Sequence, residues 1–99
     1  MYTINETNEF SDWLSAMRDI RARARIVSRI KSAGHGNFGD CEPVGEGVSE
    51  MRIHIGAGYR VYFTQRERMV YLLLCGGDKS TQKRDIARAK AIRKQLEEE

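Results

Sequence analysis

Arg52, His54, Arg60 and Tyr62 sit at alternating positions in two neighbouring apolar stretches of the chain. On extended strands, period two places Met51, Ile53 and Ile55 with Tyr59, Val61 and Phe63 on one face, and gathers Arg52, His54, Arg60 and Tyr62 on the other. Lys79 follows the next apolar run, after Cys75-Gly76-Gly77, where missing side chains let the backbone turn closely. Together these residues make a cationic pocket. Guanidinium forks match phosphate oxygens two at a time, and a tyrosine or histidine ring offers a base a stacking surface. The competing arrangement pairs the arginines with Glu50 and Glu67 and leaves the rings as caps on a solvated sheet.

RNA cleavage is the chemistry this set could serve without metal. A 2′-hydroxyl must lose its proton, phosphorus must take on extra negative charge, and the leaving 5′-oxygen must gain a proton. Arg52, Arg60 or Lys79 could stabilise the phosphorane, and His54 carries the side chain whose ordinary titration lies nearest neutrality. DNA cleavage fits less well, because no carboxylate cluster for two metals is visible. Cys41 and Cys75 have no metal-ligand spacing and only His35 and His54 to help them, so no metal or cofactor is expected.

Charge adds a second hint. Residues 1–49 hold six Lys/Arg and seven Asp/Glu, whereas residues 50–99 hold eleven and seven, which together give the net charge of +3. Between residues 79 and 94 seven basic side chains, Lys83 and Arg84 among them, face the single acid Asp85, and a polyanion or an acidic protein would be drawn there. Arg21, Arg23, Arg25, Arg29 and Lys31 form another basic series, either a contact for RNA or a partner's carboxylates, or a solvated face. Gly34-His35-Gly36-Asn37-Phe38-Gly39 lacks the preceding strand and GK[ST] ending of a phosphate-binding loop. A DNA-reading helix-turn-helix is not supplied by the second half.

These residues must be positioned by one domain, residues 1–99, of α+β class. Residues 2–5 alternate as a strand. Phe10, Trp13, Leu14 and Met17 then recur at helical spacing behind Thr7 or Asn8 as cap, and Ile26, Val27, Ile30 and Ala33 do so behind Asp19. Residues 35–47 read as one long loop, residues 51–55, 59–64 and 70–75 as strands, and residues 81–97 as a last helix whose closing glutamates oppose its dipole. The order is β-α-α-β-β-β-α, with helices packed on a mainly antiparallel sheet. The longest apolar run, residues 69–75, is far short of the ~18 residues of a membrane span, and Glu6, Glu9 and Asp12 precede any basic residue. A cytoplasmic protein without membrane attachment is expected.

Several motifs, taken together, carry a resemblance: Phe10-Ser11-Asp12-Trp13-Leu14, Ala22-Arg23-Ala24-Arg25-Ile26 within the Arg21 to Ile30 helix, Gly36-Asn37-Phe38-Gly39-Asp40, Val44-Gly45-Glu46-Gly47-Val48 followed by Glu50-Met51-Arg52-Ile53, Gly58-Tyr59-Arg60-Val61-Tyr62-Phe63 and Leu72-Leu73-Leu74-Cys75-Gly76-Gly77-Asp78-Lys79-Ser80-Thr81-Gln82. Over nearly its whole length the chain resembles the RelE/HigB superfamily of bacterial toxins, in its phage-derived Gp49-like addiction-module branch. The resemblance implies a RelE-like microbial-ribonuclease-type fold and a ribosome-dependent mRNA endoribonuclease that inhibits translation. It also implies a cognate antitoxin, usually of helix-turn-helix type, with the ribosome and mRNA as further partners. It places Arg52, Arg60 and Lys79 on the active face and sets Gln82 beside them. The expected catalytic groups are therefore Arg52, His54, Arg60 and Lys79, with Tyr62, Gln82, Lys83 and Arg84 binding substrate. Relatives often carry a tyrosine or histidine in the last helix, and residues 81–96 here contain neither. The alternative is a non-catalytic module that binds RNA or only an antitoxin through the same basic face.

Overall fold

The computed structural model describes residues 1–98. Strand β1 (Thr3–Glu6) leads into two helices, α1 (Asn8–Ser15) and α2 (Ile20–Gly34). Thr7 starts the first, its hydroxyl oxygen accepting from the Phe10 amide at 3.0 Å while donating to the Leu74 carbonyl, so the cap also ties α1 to the sheet. Asp19 starts the second by accepting from the Ala22 amide. The pair forms the expected helical hairpin.

Four strands and a helix follow: β2 (Cys41–Gly45), β3 (Val48–Ile53), β4 (Tyr59–Glu67), β5 (Val70–Asp78) and, after a single 3-10 turn (Lys79–Thr81), α3 (Gln82–Glu97). The sheet order is β1-β5-β4-β3-β2, with β1 parallel to β5 and every other pair antiparallel. The α+β class and the element order expected from the pattern are present, with one strand added. Residues 35–47 are not a single loop, because Cys41, Glu42 and Pro43 pair with Met51, Glu50 and Ser49. A five-residue edge strand containing a proline gives little alternation to read, and Pro43 is tolerated because an edge leaves one side of the backbone unpaired. The tight return to β3 uses Gly45, Glu46 and Gly47, all at positive φ. Of the three closing glutamates, Glu99 lies outside the described residues, and α3 ends with Glu98 as its C-cap.

Both sheet faces are covered. On one, Met51, Ile53, Val61, Phe63 and Leu73 pack against Phe10, Ile26 and Ala33 from α1 and α2, with Trp13 and Ile30 alongside. On the other, Val48, Tyr62, Leu74 and Cys75 pack under Ala89 and Ile92 of α3. Leu74 and Cys75 share a face because the β4–β5 register slips between Tyr62 and Phe63, leaving Leu74 as the extra residue. Gly76 and Gly77 sit where both layers come closest. A Cβ at Gly76 would lie 2.4 Å from the Trp13 ring, and one at Gly77 would collide with the Asp85 carboxylate. Steric approach of two helices, rather than a turn, is what these glycines serve.

Candidate functional site

The centre of the polar face is a residue that the pattern of basic side chains overshadows. Across β3 and β4, Glu50 stands opposite Tyr62 and Arg52 opposite Arg60, so four side chains form a square on the α3 side of the sheet. Two arginines directly opposite each other repel, and Glu50 answers that repulsion from complete burial. Its Oε1 accepts from Arg52 Nε at 3.0 Å, and its Oε2 accepts from Tyr62 Oη and Gln82 Nε2, each at 2.9 Å. Arg60 Nε lies 3.5 Å from the same oxygen. Burial pushes the Glu50 carboxyl up, but the hydrogen bonds from Gln82, Arg52 and Tyr62 and the Arg60 charge outweigh it and hold the group below the ordinary glutamate range. The carboxylate is therefore ionised at neutral pH, and the arginines are oriented by a fixed anion beneath them.

Tyr62 does not offer the stacking surface expected of it. Helix α3 covers this part of the face, and the ring is fully buried. Burial and then the neighbouring Glu50 push its phenol far above the ordinary tyrosine range, so it stays protonated and serves as a donor to Glu50. Gln82 also turns toward Glu50, donating one of its two amide N–H groups to that carboxylate. The competing sequence arrangement is half realised: the arginines do pair with Glu50, while Glu67 makes no ion pair among the described residues. The second acid on Arg52 is Glu42 from the edge strand β2, at 2.8 Å.

Beyond the edge of α3 the face opens. His54, Arg60 and Lys79 line a shallow pocket of about 370 Å³ with residues 55–58 of the β3–β4 connection. His54 comes just after the last residue of β3, so loop geometry rather than strand alternation places it, and its side chain is 73 % exposed. Its Nε2 lies 2.5 Å from Asp40 Oδ2. Arg60 reaches the pocket with Nη1 donating to the Gly58 carbonyl at 3.1 Å, and its buried Nε has no hydrogen-bond partner among the described residues. Lys79 enters from the 3-10 turn, packed near Gly58. Three of the four expected catalytic residues thus meet at one pocket. Arg52 stands beside Arg60 but is turned to Glu42 and Glu50.

The remaining expected residues lie elsewhere. Lys83 is exposed on the first turn of α3, and Arg84 faces Asp85 and a separate cleft beside Trp13 and Cys75, away from His54. His35 is exposed at the end of α2. Arg29 leaves the basic series of its helix to donate to the carbonyls of Arg52, Phe38 and Asp40. Burial raises the Cys75 thiol to about 12, so it is no nucleophile at neutral pH. No three His, Cys, Asp or Glu side chains come together as a metal cage among the described residues. No helix among them is long and apolar enough to cross a membrane.

Asp40 and Glu42 are the acids beside the expected site residues that attention to positive charge overlooks. Glu50, two residues before Arg52 on the same strand face, is the one acid that the competing arrangement named correctly. Asp40 left no signal, because its approach to His54 depends on how the preceding loop is held.

Residues 12–97 match the family described as Phage derived protein Gp49-like (DUF891). A relative from Haemophilus influenzae (strain ATCC 51907 / DSM 11121 / KW20 / Rd), described as an uncharacterized protein, is 47% identical over 93 residues, spanning 94% of each chain. No solved structure matches the chain. With nearly its whole length matched, the chain belongs to the phage-derived Gp49-like family, a toxin-like family of the addiction-module type.

Proposed function

We propose that the protein is the toxin of a toxin–antitoxin pair and acts in the cytoplasm as a ribosome-dependent mRNA endoribonuclease of the RelE/HigB kind, by metal-independent phosphodiester cleavage. The observation that supports this best is the convergence of His54, Arg60 and Lys79 on one open pocket. In this reading the His54 ring takes the proton of a 2′-hydroxyl and the 2′-oxygen bonds to phosphorus. The bond from phosphorus to the 5′-oxygen breaks, and that oxygen takes a proton from solvent water, whose hydroxide recovers the proton held by His54. The products are a 2′,3′-cyclic phosphate and a 5′-hydroxyl. Arg60 and Lys79 stabilise the charge that develops on the phosphorane, a contribution of about 100-fold or more in rate per well-placed donor. Arg60 is suited to this because Glu50 holds it in place before substrate arrives. So small an open pocket needs the ribosome to hold the message in line. The partner that silences the toxin is a cognate antitoxin of helix-turn-helix type, attracted by the surplus of basic residues in the second half of the chain.

Primer extension on a reporter mRNA after induced expression tests the reading: new 5′ ends within translated codons are expected, and growth arrest without them refutes it. A second reading, a non-catalytic module binding RNA or only an antitoxin, draws on one observation, that Arg52 is already occupied by two carboxylates. Arg60→Lys separates the two, since it keeps charge but loses the planar fork. Cleavage lost in R60K supports the nuclease, whereas toxicity unchanged in R60K supports the binding module.

A further inference from the structure

Asp40 belongs to a segment that is held unusually firmly for a surface loop. The Arg29 guanidinium donates to the carbonyls of Phe38 and Asp40, and the Arg52 amide donates to the Asp40 carbonyl at 2.9 Å. Gly39, at positive φ, lies so close under Arg29 that a Cβ there would come within 2.9 Å of the guanidinium. The Asn37 carboxamide oxygen accepts from the Gly39 amide. The motif Gly36-Asn37-Phe38-Gly39-Asp40 thus acts as a mount for one side chain, and that side chain meets His54 Nε2 at 2.5 Å.

The geometry points to a carboxylate–imidazole pair, and we infer that Asp40 is the positioning residue that fixes the ring of His54 and its tautomer for proton transfer. An ionised carboxylate only accepts hydrogen bonds, so the ring nitrogen facing it, Nε2, must carry the proton. Nδ1 then keeps its lone pair, which is the form a base requires. The hydrogen bond from His54 holds the Asp40 carboxyl below the ordinary aspartate range, with burial opposing and the charges of Arg52 and Arg29 assisting. The charged groups around the pair are Arg29 from α2, Arg52 from β3, Arg60 from β4 and Lys79 after β5, with Asp19 close to Gly56 on the far side of the loop. Among them Asp40 is the carboxylate in contact with the imidazole.

The inference rests on the nuclease reading above, and its test separates the two. Cleavage on programmed ribosomes is measured from pH 5.5 to 8.5 for wild type, D40N, D40E, H54A and D40N/H54A. D40N is expected to cut about tenfold or more slowly, since a mispositioned tautomer has a large effect in carboxylate-held imidazoles. D40N should also displace the pH dependence that H54A abolishes, because a neutral amide no longer offsets charge on the ring, and D40E should recover part of the rate. The double variant should be no slower than H54A, because the two residues act as one unit. A purely structural Asp40 would lower the unfolding midpoint and leave the pH profile in place. D40N equal to wild type while H54A is slow overturns the inference and leaves the nuclease standing. If wild type does not cut, the nuclease reading fails, and the pair is judged in the free protein by carbon NMR of the Asp40 carboxyl. There H54A should raise its titration midpoint toward the ordinary 3.8, and an unmoved midpoint overturns the pairing.

Discussion

Replacing Glu50 by glutamine keeps the shape of the side chain and removes its charge, and the structure sets the size of the consequence. Glu50 is wholly buried and receives hydrogen bonds from Arg52, Tyr62 and Gln82, with Arg60 Nε a further 3.5 Å neighbour. Taking one partner from a buried ion pair costs about 3–5 kcal/mol, because the charge left behind is uncompensated. Arg60, with its buried Nε already lacking a hydrogen bond, is the residue left in that state. Arg52 keeps Glu42 and partial access to water, which sets the expectation for E50Q near the lower figure, about 3 kcal/mol. For a domain of this size that is a fall in Tm of roughly 12–24 °C. The sign with pH follows from the carboxyl being held below its ordinary 4.5 in the folded state. The wild type keeps the full contribution above about pH 4.5 and loses it as pH falls through the folded-state value, so the gap to E50Q should close in acid. Urea unfolding of both proteins between pH 3 and 7 measures this. A loss below about 1 kcal/mol, or a gap that does not narrow in acid, would refute Glu50 as the anion that organises the arginines.

Tyr62→Phe should cost about 1–2 kcal/mol in urea unfolding, through an acceptor oxygen of Glu50 left short of a donor, and should change cleavage less than about threefold if proton transfer belongs to His54. Gly77→Ala should displace the start of α3, since its Cβ would collide with Asp85, and a loss of 3 kcal/mol or more is expected, at or above the upper end for overpacked sites. A variant within about 1 kcal/mol of wild type would show that the helix adjusts freely. Lys79→Ala should leave stability within about 0.5 kcal/mol, because the side chain is exposed and makes no ion pair among the described residues. The same change should reduce the salt slope of RNA affinity by about one, measured by titration at several ionic strengths.

Period and capping made most of the fold legible. Thr7 and Asp19 start their helices as their side chains suggest, and the alternation of Met51, Ile53, Val61 and Phe63 marks the face under α1 and α2. Alternation says which side chains share a face but not what covers it, and that is why Tyr62 read as accessible. Whether a phenol on a strand meets solvent or a helix depends on where α3 returns, a long-range choice fixed by Gly77 and Asp85. The strand β2 was illegible because Pro43 and Gly45 break the pattern that its pairing with β3 restores. The basic residues of the site announced themselves by type. Glu50 was legible as a partner for the arginines by its position on their strand face, but its burial and its bonds to Tyr62 and Gln82 depend on where α3 packs, which no composition reveals.

Gly76 and Gly77 also bear on what mutation can do to this chain. A single base change in a glycine codon gives glycine again, a stop, or a residue with a Cβ, and at these two adjacent positions every Cβ strikes either Trp13 or Asp85. Any substitution at either position therefore requires a helix on one side or the other to move. At this one point of β5 a side chain is accommodated at least cost once Trp13 or Asp85 has been made smaller, which makes the order of substitutions, and not just their identity, a property of the architecture.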